Sequence, residues 1–157
     1  MCLTTISPLH RLHQKFIKGC HHQRFYHFKF AQKCYEQALK IYKVTLGYDH
    51  PCVARVLHNI GIMYHAKKDN EVALKCLKKS LSIRLSQLGD TDLSVADSYG
   101  WVGKIHREKK AFSKAVECFV CAHSIKVKVL GKAHIGSAEV LQNIGILYDD
   151  LGLHSQR

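Results

Sequence analysis

The side chains best suited to chemistry in this chain are its thiols and imidazoles, with 7 Cys and 12 His present. Cys118 and Cys121 form a C-x-x-C pair, the spacing that supplies half of a structural zinc site. Tetrahedral zinc needs four ligands, and no second pair stands at a suitable distance along the chain. Cys20-His21-His22 is a weaker cluster still. An odd number of cysteines, most of them within helical patterns, reads as reduced, buried thiols of a cytosolic protein and not as a disulfide framework. The sequence contains no Gly-rich phosphate loop and no Gly-x-Ser-x-Gly elbow. No metal, cofactor or catalytic activity is therefore expected.

Charge points to binding. Lys and Arg number 24 against 12 Asp and Glu, a net charge of +12. Such an excess favours an acidic peptide, a nucleic acid or an anionic surface. No acidic residue precedes Glu36, so residues 1–27 form a basic, His-rich leader in which residues 10–27 could be a degenerate first helix. A mitochondrial presequence is the alternative for that leader, but it holds only one Ser and two Arg before residue 30. No run of apolar residues is long enough to span a membrane. A cytoplasmic protein without membrane insertion is the expectation.

The elements that must position any binding surface come from a repeat. Gly61, Gly103 and Gly145 are spaced by 42 residues, and the same step links Ala31, Ala73 and Ala115, then Cys34, Cys76 and Cys118, then Leu46-Gly47, Leu88-Gly89 and Leu130-Gly131. Within a unit, Val53, Val56, Leu57, Ile60 and Tyr64 make one helical stripe, and Ala73, Leu74, Leu77 and Leu81 make another. The polar run Lys67-Lys68-Asp69-Asn70 separates them, Gly89 suits a helix C-terminus, Asp92 an N-cap and Pro51 a first turn. First helices are expected near 52–66, 94–108 and 138–151, and second helices near 29–46, 70–88 and 112–130, with 153–157 as a tail. Small residues on facing helices allow close antiparallel approach, and neighbouring pairs must stack to bury their stripes. Cys34, Cys76 and Cys118 should then share a buried, inward-facing column.

These segments, "YEQALKIYKVTLGYDHPCVA" at 35–54, "LHNIGIMY" at 57–64 and "LQNIGILY" at 141–148, resemble the tetratricopeptide repeat (TPR) in its 42-residue form. That form is found in the kinesin light chain and nephrocystin-3-like arrays. The resemblance covers about residues 28–152 and implies an all-α, right-handed TPR superhelix of about three repeats plus a lone terminal helix. The middle repeat departs from its neighbours, with Trp101 where they have Asn59 and Asn143, and without His-Pro before its first helix. No heptad coiled coil accompanies the repeats, so binding to a kinesin heavy chain is not inferred. Because the array breaks off after a lone first helix, the chain reads as a fragment or truncated product of a longer array.

In a TPR array the first helices line the concave groove, and helical spacing selects its residues. Arg55, His58, Ile62 and His65 fall on that face in one unit, Asp97, Gly100, Lys104 and Arg107 in the next, and Glu139, Gln142, Ile146 and Asp149 in the last. Asn59, Trp101 and Asn143 border it. Arg55, His58, Asn59, Trp101, Lys104, Arg107, Gln142 and Asn143 are thus the candidate peptide-binding residues. The groove should be basic toward its N-terminal and middle units and acidic at its C-terminal end. Amides suit an extended peptide backbone, and Trp101 offers a flat anchor. The expected function is a protein-interaction module for an acidic or mixed-charge peptide, with a cargo-adaptor-like role implied by the resemblance. RNA binding through the basic surface is the alternative, although no regular interleaving of basic and aromatic residues supports it. A non-functional fragment is the third reading.

Overall fold

The structure, a computed structural model, describes residues 28–155. The degenerate helix considered for residues 10–27 and the register of Gly19 lie outside the described residues. Six helices follow in order: α1 (Phe28–Leu46), α2 (Pro51–Ala66), α3 (Asn70–Leu88), α4 (Leu93–Glu108), α5 (Phe112–Leu130) and α6 (Ile135–Ser155). There is no strand among the described residues. The last helix begins three residues before the expected start at 138, and it runs into residues 153–155, expected to be tail. The reason at its start is local: the His134 ring accepts from the Gly136 backbone N–H at 3.0 Å and its carbonyl accepts from Ser137 and Ala138. His134 therefore acts as the cap and the helix begins immediately after it.

Local chemistry sets the other ends. His50 Nδ1 accepts from the Cys52 N–H at 3.1 Å, and Pro51 occupies the first turn, where its missing N–H costs nothing. Asp69 caps α3 through Val72 N, and Asp92 caps α4 through Ser94 N. The tight turns after α2 and α4 are alike. Lys68 and Lys110 take up positive φ at 65° and 58°, and each follows a C-cap whose N–H bonds back into the helix. The helix ends at Gly47, Gly89 and Gly131 have φ between 82° and 94°, a range in which a side chain would be strained.

The helices pack as successive antiparallel pairs, α2 on α3 and α4 on α5, with α3 on α4 and α5 on α6 joining the pairs. One core cluster unites α1, α2 and α3 around Tyr35, Val53, Met63 and Ile83. A second joins Leu74 and Leu77 to Val102 and Ile105, and a third joins Val95, Phe119 and Ile125 to Val140 and Leu147. No pair closes its core alone, as a stacked solenoid requires. Ala31, Ala73 and Ala115 are fully buried, but Cys34, Cys76 and Cys118 are only half-buried, contrary to the expectation of a buried column. Their column sits one helical step from the alanine column, toward the edge of each interface.

Candidate functional site

A cleft of about 250 Å³ opens where α4 meets α6. Asp97, Gly100, Trp101 and Lys104 of α4 line one side, and Glu139, Val140 and Asn143 of α6 line the other, with Phe119 and Lys126 from α5 and His58 from α2. The cleft gathers four of the expected peptide-binding residues, His58, Trp101, Lys104 and Asn143, with His58 as a buried part of its wall. Trp101 is held from two sides. Lys104 Nζ lies 4.8 Å above the ring centroid, a cation–π distance, and the His65 ring meets it edge-on with centroids 5.6 Å apart. His65 is itself fixed, its Nε2 lying 2.8 and 3.0 Å from the two carboxylate oxygens of Glu108. Burial works to raise the Glu108 carboxyl, but the bonds to His65 and Asn70 bring it below the ordinary carboxylate range.

The charge in this cleft is balanced. Lys126 Nζ stands 3.4 Å from Asp97 Oδ1, and that pair leaves Lys104 and Glu139 facing the opening. Lys126 and Phe119 arise from a second helix, which selection along first helices does not find. A signal for Lys126 exists: it lies 42 residues after Arg84, so the two share a repeat column. Both reach across to α4. Arg84 Nη1 donates to the Ser94 carbonyl at 2.6 Å and to Ser98 Oγ at 2.8 Å.

His58 belongs to the cleft wall but not to its charged opening, and the other four expected residues, Arg55, Asn59, Arg107 and Gln142, do not line the cleft. His58 is only 8% exposed, with Nδ1 at 3.4 Å from both Arg84 Nη1 and Ser98 Oγ. Burial, and then the Arg84 guanidinium, hold its pKa at about 3, so it is a neutral member of a buried network and not a groove cation. Arg55 is exposed but lines a separate pocket of about 190 Å³ with Pro51, Cys52, Arg84, Leu88 and Ser94. Arg107 is half-buried, does not line the cleft, and pairs with Asp150 of α6 at 3.6 Å. Asn59 is half-buried and Gln142 exposed, and neither lines the cleft.

A larger cavity, about 740 Å³, lies between α3 and α5 and contains none of the expected residues. Leu81, Leu85, Val102 and Cys118 give it apolar walls, and Lys78, Lys114, His106 and Glu117 border them. Burial, reinforced by Cys121 and Glu117, pushes the Cys118 thiol up to about 11, which leaves little thiolate at neutral pH. Cys121 is exposed. No group of three or more His, Cys, Asp or Glu able to hold a metal occurs among the described residues. No helix among them is long and apolar enough to cross a membrane.

Residues 28–86 match the family model for the tetratricopeptide repeat. No curated protein sequence matches the chain. Among solved structures, BtubC (BKLC) from P. vanneervenii superposes with a TM-score of 0.84 at 19% identity, covering 96% of this chain and 60% of that one. A Podosopora anserina kinesin light chain structure with nearly identical TPR-like repeats gives 0.80 at 20% identity, covering 90% of this chain and 67% of that one. A point variant of that Podosopora protein gives 0.79, with the same identity and coverage. At these identities the likeness is one of fold. The described chain is an all-α TPR solenoid of about three repeats, similar to kinesin light chain repeats, and it spans 60% of the length of the first of these structures.

Proposed function

We propose that this chain is a non-enzymatic interaction module that holds an extended, partly acidic peptide segment of a partner in the cleft between α4 and α6. TPR arrays are in general protein-interaction modules. The observation that carries the reading is the convergence of Trp101, Lys104 and Asn143 on one opening. The indole face anchors an apolar or aromatic side chain of the peptide. Lys104 bonds a carboxylate beside it, and the Asn143 amide, donor and acceptor at once, takes a backbone peptide group. Glu139 disfavours a uniformly acidic ligand, so the segment carries one acidic residue next to its anchor and tolerates a basic one beyond it. A cargo-adaptor-like role in the cytoplasm fits such a module, and the likeness to kinesin light chain repeats supports it.

One observation favours a second reading. Among the described residues most basic side chains sit on second helices, including exposed Lys75, Lys78 and Lys79 on α3 and Lys114 and Lys128 on α5, whereas the first helices carry Arg55, Lys104 and Arg107. A surface of that kind attracts RNA through phosphate contacts. The two readings separate in one experiment. The chain is screened against immobilised peptides of varied acidity and against single-stranded RNA, as wild type, as Lys104→Glu and as Lys78→Glu/Lys79→Glu. The cleft reading expects a peptide affinity that falls at least roughly tenfold, about 1.4 kcal/mol, in Lys104→Glu only. Equal losses in both variants would reduce the effect to bulk charge, and RNA retention without peptide binding would favour the second reading.

A further inference from the structure

The cavity of about 740 Å³ between α3 and α5 shares no lining residue with the peptide cleft. Three consecutive helices bound it. α3 and α5 each pack on α4 and scarcely on each other, so α4 forms the floor through Val102 and His106. The repeat column of His106 holds a tyrosine one unit earlier. Tyr64 packs against two of the core clusters, and 42 residues later the same place is taken by a smaller imidazole.

Polar groups gather at one end of the cavity. His106 is 7% exposed, yet its ring makes no hydrogen bond among the described residues. A buried polar side chain without a protein partner is rare in a folded chain and points to a ligand. Burial first, then Lys78 of α3, Lys114 of α5 and Lys109 just past α4, hold the His106 pKa below the ordinary histidine value, with Glu117 opposing them. The ring is thus neutral at pH 7 and has one N–H to donate. Lys78 and Lys114 line the cavity and form no ion pair among the described residues. Their two charges against that of Glu117 leave one net positive charge beside the ring. From there Leu81 and Leu85 continue the stripe of Lys78 for about 10 Å along α3, facing Val102 and Cys118.

We propose that the α3–α5 cavity binds a small amphipathic monocarboxylate of the medium-chain fatty-acid class, its carboxylate held by His106, Lys78 and Lys114 and its alkyl chain laid along Leu81, Leu85, Val102 and Cys118. The volume lies within the range of about 300–1,000 Å³ common to small-molecule sites. Charge-assisted bonds from two ammonium groups fix the head, and burial of the chain supplies the rest. Glu117 disfavours a dianion such as a phosphate, since a second negative charge would face its carboxylate. The site is independent of the peptide cleft.

The test titrates decanoate, kept below its micellar concentration, into the full chain by calorimetry. Saturable binding is expected. Hexanoate should bind at least roughly tenfold more weakly, because each buried CH₂ is worth about fourfold in affinity. Decanol, with the same chain and no charge, should lose at least roughly tenfold as well. So should decanoate in Lys78→Gln/Lys114→Gln, a change at two exposed positions that does not threaten folding. Lys75→Gln/Lys79→Gln, at exposed lysines of α3 that do not line the cavity, and Lys104→Glu in the cleft should leave decanoate affinity unchanged. The His106 ring resonances should shift on saturation. Absence of saturable decanoate binding, equal affinity for decanol, or equal losses in the two lysine pairs would overturn the proposal. So would a peptide of the acidity-graded set that binds where decanoate does not and is lost in Lys78→Gln/Lys114→Gln, since the occupant would then be a protein segment.

Discussion

α2 and α6 are built from nearly the same residues at equivalent positions, and they live in different surroundings. "LHNIGIMY" in α2 lies under α3, its leucine buried and its glycine in contact with Leu77, while "LQNIGILY" in α6 has its leucine and last tyrosine exposed and its glycine facing open space. The histidine of the first segment is locked beside Arg84, and the glutamine at the matching place in the second is exposed. The difference teaches that a repeat column specifies which face a residue occupies, and the next helix decides whether that face is core or surface. The candidate peptide cleft lies between α4, whose Gly103 is covered by Phe119 and Cys118, and α6, whose Gly145 is not covered.

Alanine in the glycine column breaks this comparison most sharply. Gly61→Ala drives a methyl into the Leu77 side chain and the Ala73 carbonyl, and Leu77 is fully buried with no room to withdraw. Overpacking of this kind costs about 1–3 kcal/mol, which the better helix propensity of alanine offsets by about 1 kcal/mol, so a net loss of up to about 2 kcal/mol is expected. Urea unfolding should show a lower midpoint with an unchanged slope. A variant as stable as wild type would show that the α2–α3 approach is looser than the distances state.

The second probe is pH, because the buried network under α2 has no equivalent at Gln142. The unfolded chain protonates His58 near pH 6.5, and the folded chain resists until about pH 3. A depressed histidine pKa leaves stability untouched above pH 6.5 and withdraws it as pH falls through that value, at up to about 1.4 kcal/mol per pH unit. Between pH 7 and 5.5 the wild type should lose about 1 kcal/mol more stability than His58→Gln. His106, whose pKa is also lowered, first by burial and then by nearby lysines, contributes equally in both proteins and cancels in the difference. Parallel pH profiles would place His58 in solvent.

The smallest expected effect has the opposite sign from the first. Gly145→Ala meets no neighbour and replaces a poor helix former, so it should stabilise the chain by about 0.8–1 kcal/mol in the same urea experiment. Destabilisation would mean that α6 is covered in solution.

These contrasts also mark how far the sequence can be read. The 42-residue columns, the polar break at 67–70 and the caps at Pro51, Gly89 and Asp92 mark α2, α3 and α4 through local backbone chemistry, whereas the cap at His134, and so the start of α6, escapes that reading. Trp101 and Lys104 are legible together because they stand three residues apart on one face of α4, and Asn143 because it occupies the repeat column of Trp101 one unit later. His58 is not, since its burial depends on Arg84 arriving from a different helix. Arg107 reads as a groove cation in the sequence, but Asp150 meets it from α6, a contact across helices that single-helix spacing does not reveal. Lys126 escapes the same reasoning because a second-helix residue is not expected to reach the first-helix face.

Trp101 is the only tryptophan in the chain and stands in the wall of the cleft, so its emission reports on that site alone. Titration of the tightest peptide from the acidity-graded set, followed by Trp101 fluorescence and in parallel by calorimetry, is the most direct test that the α4–α6 cleft holds the partner. The account predicts a saturable change in Trp101 emission whose midpoint matches the calorimetric one, weakened at least roughly tenfold in Lys104→Glu and retained in Lys78→Glu/Lys79→Glu. Calorimetric binding that leaves Trp101 emission unchanged and survives Lys104→Glu would contradict it.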